Sequence, residues 1–290
     1  MSLNIQEFYD ELTATYTYVV SDPKTNDAIV IDPVWDFDQP SGKLTLDSYK
    51  KVKSFVSARK LKLHYCLETH AHADHLSAAQ FFKRDFPELK TGISENIRVV
   101  QEVFKKLFNL SQEVKTDGSQ FDFLIKDGQV FQAGSIQIKA IFTPGHTPAC
   151  CSFLVENKLF VGDSIFMPDT GTGRCDFPNG SAETLFDSIT QKIYTLPDST
   201  EIFIGHDYKN GGKREAKFLS SVGEQKSSNI HVKFDTDKST YVKMRVDRDR
   251  TLSAPKLLLP SLQVNILAGN LPTPESNGVS YMKLPLSLVG

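Results

Sequence analysis

Apolar residues alternate with polar or small ones at Tyr16, Tyr18 and Val20, and Ala28-Ile-Val-Ile31 is a short β-branched run ending at Asp32-Pro33. Both patterns predict strands. From residue 44 to 59 the interval changes. Leu44, Leu46, Val52, Phe55 and Val56 fall at mostly helical spacing with lysines on the other faces, which predicts an amphipathic helix. His64-Tyr-Cys-Leu67 reads as a buried strand, and a helix is expected from Leu76 through Ala78, Ala79 and Phe82, stopped by Pro87. Ser94 is expected to cap the next helix, with Ile97, Val100, Phe104, Leu107 and Phe108 on its apolar face. From about residue 120 strands return: a turn at Asp127-Gly128, alternation at Ile136, Ile138 and Ala140, and a hairpin joining 152–155 to 159–161. Ser181 then caps a helix striped with Leu185, Phe186, Ile189 and Ile193, and Glu201-Ile-Phe-Ile204 is a strand ending at Gly205-His206.

After about residue 225 no helical periodicity is sustained, and Pro255, Pro260, Pro272, Pro274 and Pro285 fall in this stretch. It is expected to be an extended tail packed on the core. The chain therefore divides into a domain over 1–225 and a proline-rich C-terminal extension over 226–290. Strands and helices alternating in two successive blocks favour an α/β layered fold.

Composition narrows the function. The 290 residues carry 33 basic and 35 acidic side chains, a formal charge of -2 that removes the electrostatic argument for a nucleic-acid or anionic-membrane binder. No apolar run approaches membrane-spanning length, and the start, Met1 to Glu7, lacks the basic and apolar regions of a secretory signal. Four cysteines, two of them adjacent at 150 and 151, do not make a disulfide framework. The expectation is a soluble cytoplasmic protein. Walker loops, dinucleotide fingerprints and nucleophile elbows are absent from the sequence.

The strongest chemical signal is Thr69-His70-Ala-His72-Ala-Asp74-His75, directly after the strand ending at Leu67. His70 and His72 are two apart, so an extended backbone projects both to one side, and Asp74 and His75 follow where the chain turns. Imidazole with carboxylate suits zinc, iron or manganese. Three further candidates sit beyond later strands: His146 in Thr143-Pro-Gly-His-Thr-Pro148, Asp163 in Phe160-Val-Gly-Asp163, and His206 in Phe203-Ile-Gly-His206. A carboxylate ending an apolar strand is costly unless it is paired or bound to metal. Separate strand ends delivering ligands to one rim are what a metal site on a β-sandwich requires.

These seven residues resemble the His-x-His-x-Asp-His, His, Asp, His pattern of the metallo-β-lactamase superfamily, over roughly residues 10 to 220. The resemblance implies an αββα sandwich with metal at one edge of two sheets. A narrower likeness follows from Gly173-Arg174-Cys175-Asp176-Phe177 with Gly180, which is similar to a segment of the persulfide dioxygenases, and from His206-Asp207-Tyr208. The tail, with Leu259-Pro-Ser-Leu-Gln-Val-Asn265 and Ala268-Gly269, is similar to a bacterial branch named β-lactamase-like hydrolases.

The narrower resemblance implies one Fe(II) per chain held by His70, His146 and Asp163, with zinc able to fill the site in recombinant protein. His72, Asp74, His75 and His206 would orient ligands or hydrogen-bond the oxygen species. The implied reaction oxidises glutathione persulfide with O2 to glutathione and sulfite. The alternative is a dinuclear thioester hydrolase of the glyoxalase II type, with His70, His72 and His146 on one metal, Asp74, His75 and His206 on the other, and Asp163 bridging. The family also makes a homodimer an expectation.

Glutathione is anionic, so basic side chains should line its groove. Arg174 is expected there, with pairing to Asp176 as the equal alternative, and Tyr208 and Arg245 are further candidates. Lys243, Arg245, Arg248 and Arg250, interrupted by Asp247 and Asp249, read more readily as a solvated strand face. Cys66, Cys150 and Cys151 are expected in the core, and Cys175 lies where sulfur exchange would be conceivable. His64 and His231 are expected to be bystanders.

Overall fold

Along the strand Thr15–Ser21, Tyr18 and Val20 join one apolar cluster while Val19 joins another. The strand Asp27–Ile31 divides in the same way, Ile29 and Ile31 from Ala28 and Val30. Successive side chains of a strand face opposite sides, so both faces of this sheet are covered. The structure is a computed structural model and describes residues 3–286.

Two six-stranded sheets form the frame. The first runs in the order Asn4–Asp10, Thr15–Ser21, Asp27–Ile31, Lys62–Leu67, Lys90–Ser94, Phe123–Ile125, antiparallel for three strands and parallel thereafter. The second runs Val130–Ala133, Ile136–Phe142, Cys151–Val155, Lys158–Phe160, Glu201–Phe203, Leu219–Ser221, with one parallel pair, Lys158–Phe160 beside Glu201–Phe203. Tyr18, Ile31 and Leu67 of the first sheet meet Ile138, Phe153 and Phe160 of the second in the central core. Outside the first sheet, Val30 and Cys66 pack with Val52 and Val56 of the helix Asp47–Ala58 and Phe82 of the helix Ala79–Asp85. Outside the second, Val161 and Ile202 pack with Leu185 of the helix Ala182–Ser188, which Ser181 caps by accepting from Thr184 N. The four layers are those of the expected αββα sandwich.

Three helix starts shift. Leu44 lies on the short strand Lys43–Thr45, and the helix expected over 44–59 begins only at Asp47. Leu76 and Ser77 form a short strand against Val34 and Trp35, and the helix begins only at Ala79. Ser77 is held extended because its N–H donates to Asn265 Oδ1 at 2.8 Å while its hydroxyl accepts from Ala79 N. Ser94 ends the strand Lys90–Ser94 instead of capping a helix. Its Oγ accepts from Asn96 N, and the helix spans Ile97–Leu107.

The larger correction concerns the extension, which is helical where an extended tail was expected. It carries the helices Lys238–Asp249 and Leu258–Asn265, and Lys243, Arg245, Arg248 and Arg250 lie on or just after the first, not on a strand. The first helix buries Tyr241, Arg245 and Asp249, a stripe at intervals of four that is largely polar and so invisible to hydrophobic periodicity. The second buries Pro260 and every residue from there to Asn265, so it has no polar face to contrast with an apolar one. Pro260 sits in its first turn, where no helical N–H is needed. Tyr241 packs with the outer cluster of the second sheet, and Leu262, Val264 and Ile266 pack with clusters beside the first. Among the described residues no helix is long and apolar enough to cross a membrane.

All four cysteines are buried as free thiols. Burial pushes the Cys150 thiol up to about 12 and raises Cys66, Cys151 and Cys175 as well.

Candidate metal centre

Each candidate ligand leaves the same edge of the sandwich. The strand Lys62–Leu67 lies inside its sheet, parallel to both neighbours, and its end releases the loop that carries His70 to His75. Phe160 and Phe203 are paired in the parallel register of the second sheet, and Asp163 and His206 each follow three residues later. The pairing continues through Val161 N to Phe203 O and Gly205 N to Gly162 O, which sets the two ligands side by side. Gly162 has φ +50°, and a Cβ there would meet Thr69 Oγ1 at 2.5 Å, so the two ligand-bearing turns approach this closely only with glycine.

The seven candidate donors fall into two groups, and His72 also joins Asp32 and Glu68 in a third. His70, His146 and Asp163 offer atoms within 4.8 Å of one another, and His72, Asp74, His75 and His206 do the same. His146 Nε2 lies 3.6 Å from Asp163 Oδ2, while His206 Nε2 lies 3.3 Å from Asp163 Oδ1 and 3.0 Å from Asp74 Oδ2. Asp163 thus stands between the groups.

Neighbouring atoms orient the rings. Thr69 donates its hydroxyl to Asp32 Oδ2 at 2.8 Å, so at 3.0 Å from His70 Nδ1 it accepts, which leaves His70 Nε2 with a free lone pair. The Arg174 carbonyl lies 2.6 Å from His146 Nδ1 and fixes the proton there. Thr15 Oγ1 lies 3.2 Å from His206 Nδ1. Such partners set tautomer and ring direction in metal sites. His72 Nε2 lies 3.0 Å from Asp32 and 3.4 Å from Glu68. Asp32 itself sits at φ +50°, and its carboxylate also accepts from Thr69 N at 2.7 Å.

Several of these buried atoms lack a hydrogen-bond partner: His72 Nδ1, His75 Nε2, His206 Nε2 and Asp163 Oδ1. Orphaned donors of this kind, nitrogen and carboxylate oxygen only, fit a divalent metal. Protonation agrees. Burial, reinforced by His72 and His146, holds His70 well below its usual pKa and hence neutral. Burial alone would raise the Asp74 carboxyl, but His206 and His75 hold it far below the usual carboxylate range. For His72 burial is outweighed by Asp32 and Glu68, which push its pKa well up.

A cleft of about 1100 Å³ opens onto the centre. His70, Asp74, His146 and Asp163 border it, along with Trp35, Phe166, Arg174 and Tyr208, whereas His72, His75 and His206 lie behind its wall. Tyr208 is 49% exposed, and its ring stacks on His206 with centroids 6.0 Å apart. Arg174 pairs with Asp176 through Nε and Nη2, both at 2.6 Å, and donates from Nη1 to Ser253 O. Arg245 borders the cleft yet is 1% exposed, donating to Asp249 Oδ1 and, at 3.0 Å, to the Thr172 carbonyl. His231 accepts from Thr172 N, and His64 pairs with Asp27, both away from the cluster.

Sequence reasoning missed Thr15, Asp32, Glu68 and Asn265. Asp32 carried the same signal as Asp163, a carboxylate closing an apolar strand. Asn265 carried no chemical signal, only its place in the tail segment Leu259 to Asn265. Its Nδ2 donates to the carbonyls of His72 and His75, more than 190 residues away in sequence for the first of these.

The family model of the metallo-beta-lactamase superfamily matches residues 10–206. A Dictyostelium discoideum protein called glyoxylase B2 is 46% identical over 97% of this chain and 96% of its own length. A beta-lactamase hydrolase-like protein of Agrobacterium fabrum is also 46% identical, and the chain spans only 65% of that longer protein. The bovine mitochondrial persulfide dioxygenase ETHE1 is 30% identical over 78% of this chain and 74% of its own. The crystal structure of ETHE1 from Myxococcus xanthus superimposes with a TM-score of 0.73 at 26% identity, covering 92% of this chain and all of the other. With the ligand pattern, the layered fold and these relatives in agreement, the chain belongs to the metallo-β-lactamase superfamily.

Proposed function

We propose that this chain is an iron-dependent persulfide dioxygenase that oxidises glutathione persulfide with O2 and water to glutathione and sulfite. The observation that carries the reading is the separation of the donors. His70, His146 and Asp163 form a two-histidine, one-carboxylate set on the wall of the cleft, and three members of the other group lie behind it. Bound there, Fe(II) would supply open positions for O2 and the terminal sulfur together with the redox capacity to join them. The similarity to ETHE1 proteins supports the same choice.

The chain's own groups prepare the site. Thr69 and the Arg174 carbonyl keep His70 and His146 in the tautomer that offers Nε2. Phe166 and Trp35 give the cleft apolar walls that limit water. Arg248 and Lys256 reach the same cleft as exposed cations with no ion-pair partner among the described residues, and they suit the carboxylates of glutathione. The Tyr208 ring lies over His206 and places a hydroxyl at the cleft wall.

A specific observation favours the second reading. The second group is complete, with His72 beside Asp74, His75 and His206 where the dinuclear alternative had it with His70 and His146, and Asp163 lies within 3.6 Å of a histidine of each group, as a bridging carboxylate would. A dinuclear centre could then activate water against a thioester, in keeping with the name of the Dictyostelium relative. Metal analysis of protein purified without added metal, with oxygen uptake on glutathione persulfide, separates the two. One iron per chain with uptake supports the dioxygenase. Two metals and hydrolysis of S-lactoylglutathione without uptake would replace it with the hydrolase.

A further inference from the structure

The loop His70–His75 has no helix or strand of its own, yet metal ligation tolerates little displacement of its donors. What fixes its far end comes from the C-terminal extension. Asn265, the last residue of the helix Leu258–Asn265 and 4% exposed, ties three residues of the loop and its exit with one side-chain amide. Nδ2 donates to the His72 carbonyl and to the His75 carbonyl, each at 2.8 Å, and Oδ1 accepts from Ser77 N at 2.8 Å. Both amide hydrogens and the oxygen are therefore used on backbone groups bracketing Asp74.

The helix end that carries Asn265 is itself seated on the same region. Gln80 Nε2 donates to the Ala268 carbonyl, and Gln101 Nε2 donates to the Ile266 carbonyl, both at 2.8 Å. Gly269, at φ +87°, lies so close that a Cβ would meet the Ser77 carbonyl at 2.9 Å. Among the described residues no other donor reaches the His72 and His75 carbonyls, so without this side chain they would be left unpaired. Only a carboxamide matches the demand, and glutamine would carry it one methylene too far for these three distances. Aspartate could accept from Ser77 but would offer no hydrogen to the carbonyls, and alanine leaves all three groups unpaired.

We infer that Asn265 is a positioning residue of the metal centre, setting the register of the loop that carries His72, Asp74 and His75, so that the extension is part of the centre itself. It touches neither the cleft nor a donor atom. It acts through the backbone. The inference rests on the cluster as a metal site and not on which reaction occurs there.

The test uses the full chain and Co2+ as the probe, its affinity read by competition with a chelator and its coordination by visible absorption. Asn265→Ala and Asn265→Asp should each weaken Co2+ binding by about tenfold to a hundredfold and change the absorption band. Val264→Ala, which trims a neighbouring core side chain of the same helix, should lower thermal stability while keeping the wild-type Co2+ affinity and spectrum. Wild-type Co2+ binding in a folded Asn265 variant would overturn the inference. So would an equal loss of affinity in Val264→Ala, because it would reduce Asn265 to general packing. Since neither persulfide nor thioester is present, the result stands apart from the outcome of the oxygen-uptake experiment.

Discussion

The two donor groups use the same side-chain types and sit at the same sandwich edge, yet they differ in what surrounds them. His70, His146 and Asp163 border an open cleft, and two of the three rings and carboxylates are steadied by a single outside atom, Thr69 Oγ1 or the Arg174 carbonyl. The other group is walled in. Asp32 and Glu68 flank His72, Thr15 lies against His206 and His75, and Asn265 holds the loop backbone. The lesson is that ligand chemistry alone does not rank the groups. Access and surrounding charge do, and on the proposed reading they make the three-donor set the place where small molecules meet metal.

The sharpest way to break that comparison is to remove the residue that stands between the groups. Asp163→Ala should leave metal content below about a tenth of wild type, measured on purified protein, because loss of a direct carboxylate ligand removes more than loss of an outer partner. Normal metal content would show that Asp163 belongs to neither group. Next in size, His206→Ala should lower turnover by about tenfold to a hundredfold while one iron per chain remains, as expected of a group outside the ligand set. A fall from two metals to one would instead make the four-donor group a full partner.

A smaller effect is expected on the cleft side. Arg174→Ala should raise KM about tenfold with kcat little changed, the amount a lost charge-assisted contact represents. A fall in kcat with unchanged KM would mean that the Asp176 pair serves only to hold the segment that orients His146.

The smallest concerns His231, which supports the same segment through Thr172 N. Burial, with Arg245 and Arg248 nearby, lowers its pKa from 6.5 to about 4. Between those values the folded chain binds fewer protons than the unfolded one, so His231 contributes stability above pH 6.5 that is lost as pH falls toward 4. His231→Asn should remove that slope, at most about 1.4 kcal/mol per pH unit, in denaturant unfolding at successive pH values. An unchanged pH dependence would place the titrating group elsewhere.

What could be read beforehand follows from range. The ligands were legible because they are local, four within six residues and the rest each closing an apolar run. The sandwich was legible because strands buried on both faces leave β-branched runs. Asn265 was not, since a lone asparagine in an apolar helix announces nothing about carbonyls distant in sequence. The helix Lys238–Asp249 was hidden for a related reason. Its inward stripe contains Arg245 and Asp249, satisfied by each other and by the Thr172 carbonyl and Cys175 N, so burial there does not follow hydrophobicity.

The buried cysteines acquire a meaning of their own beside such a cleft. Persulfide sulfur passes readily to any accessible thiolate, because the thiolate is the nucleophile in exchange. Cys66, Cys150, Cys151 and Cys175 are enclosed, and their protons are held far above neutral pH. The polypeptide therefore presents no competing acceptor to its own proposed substrate. Its four thiols sit in the protein interior with their protons held, and reactive sulfur is left to what diffuses in.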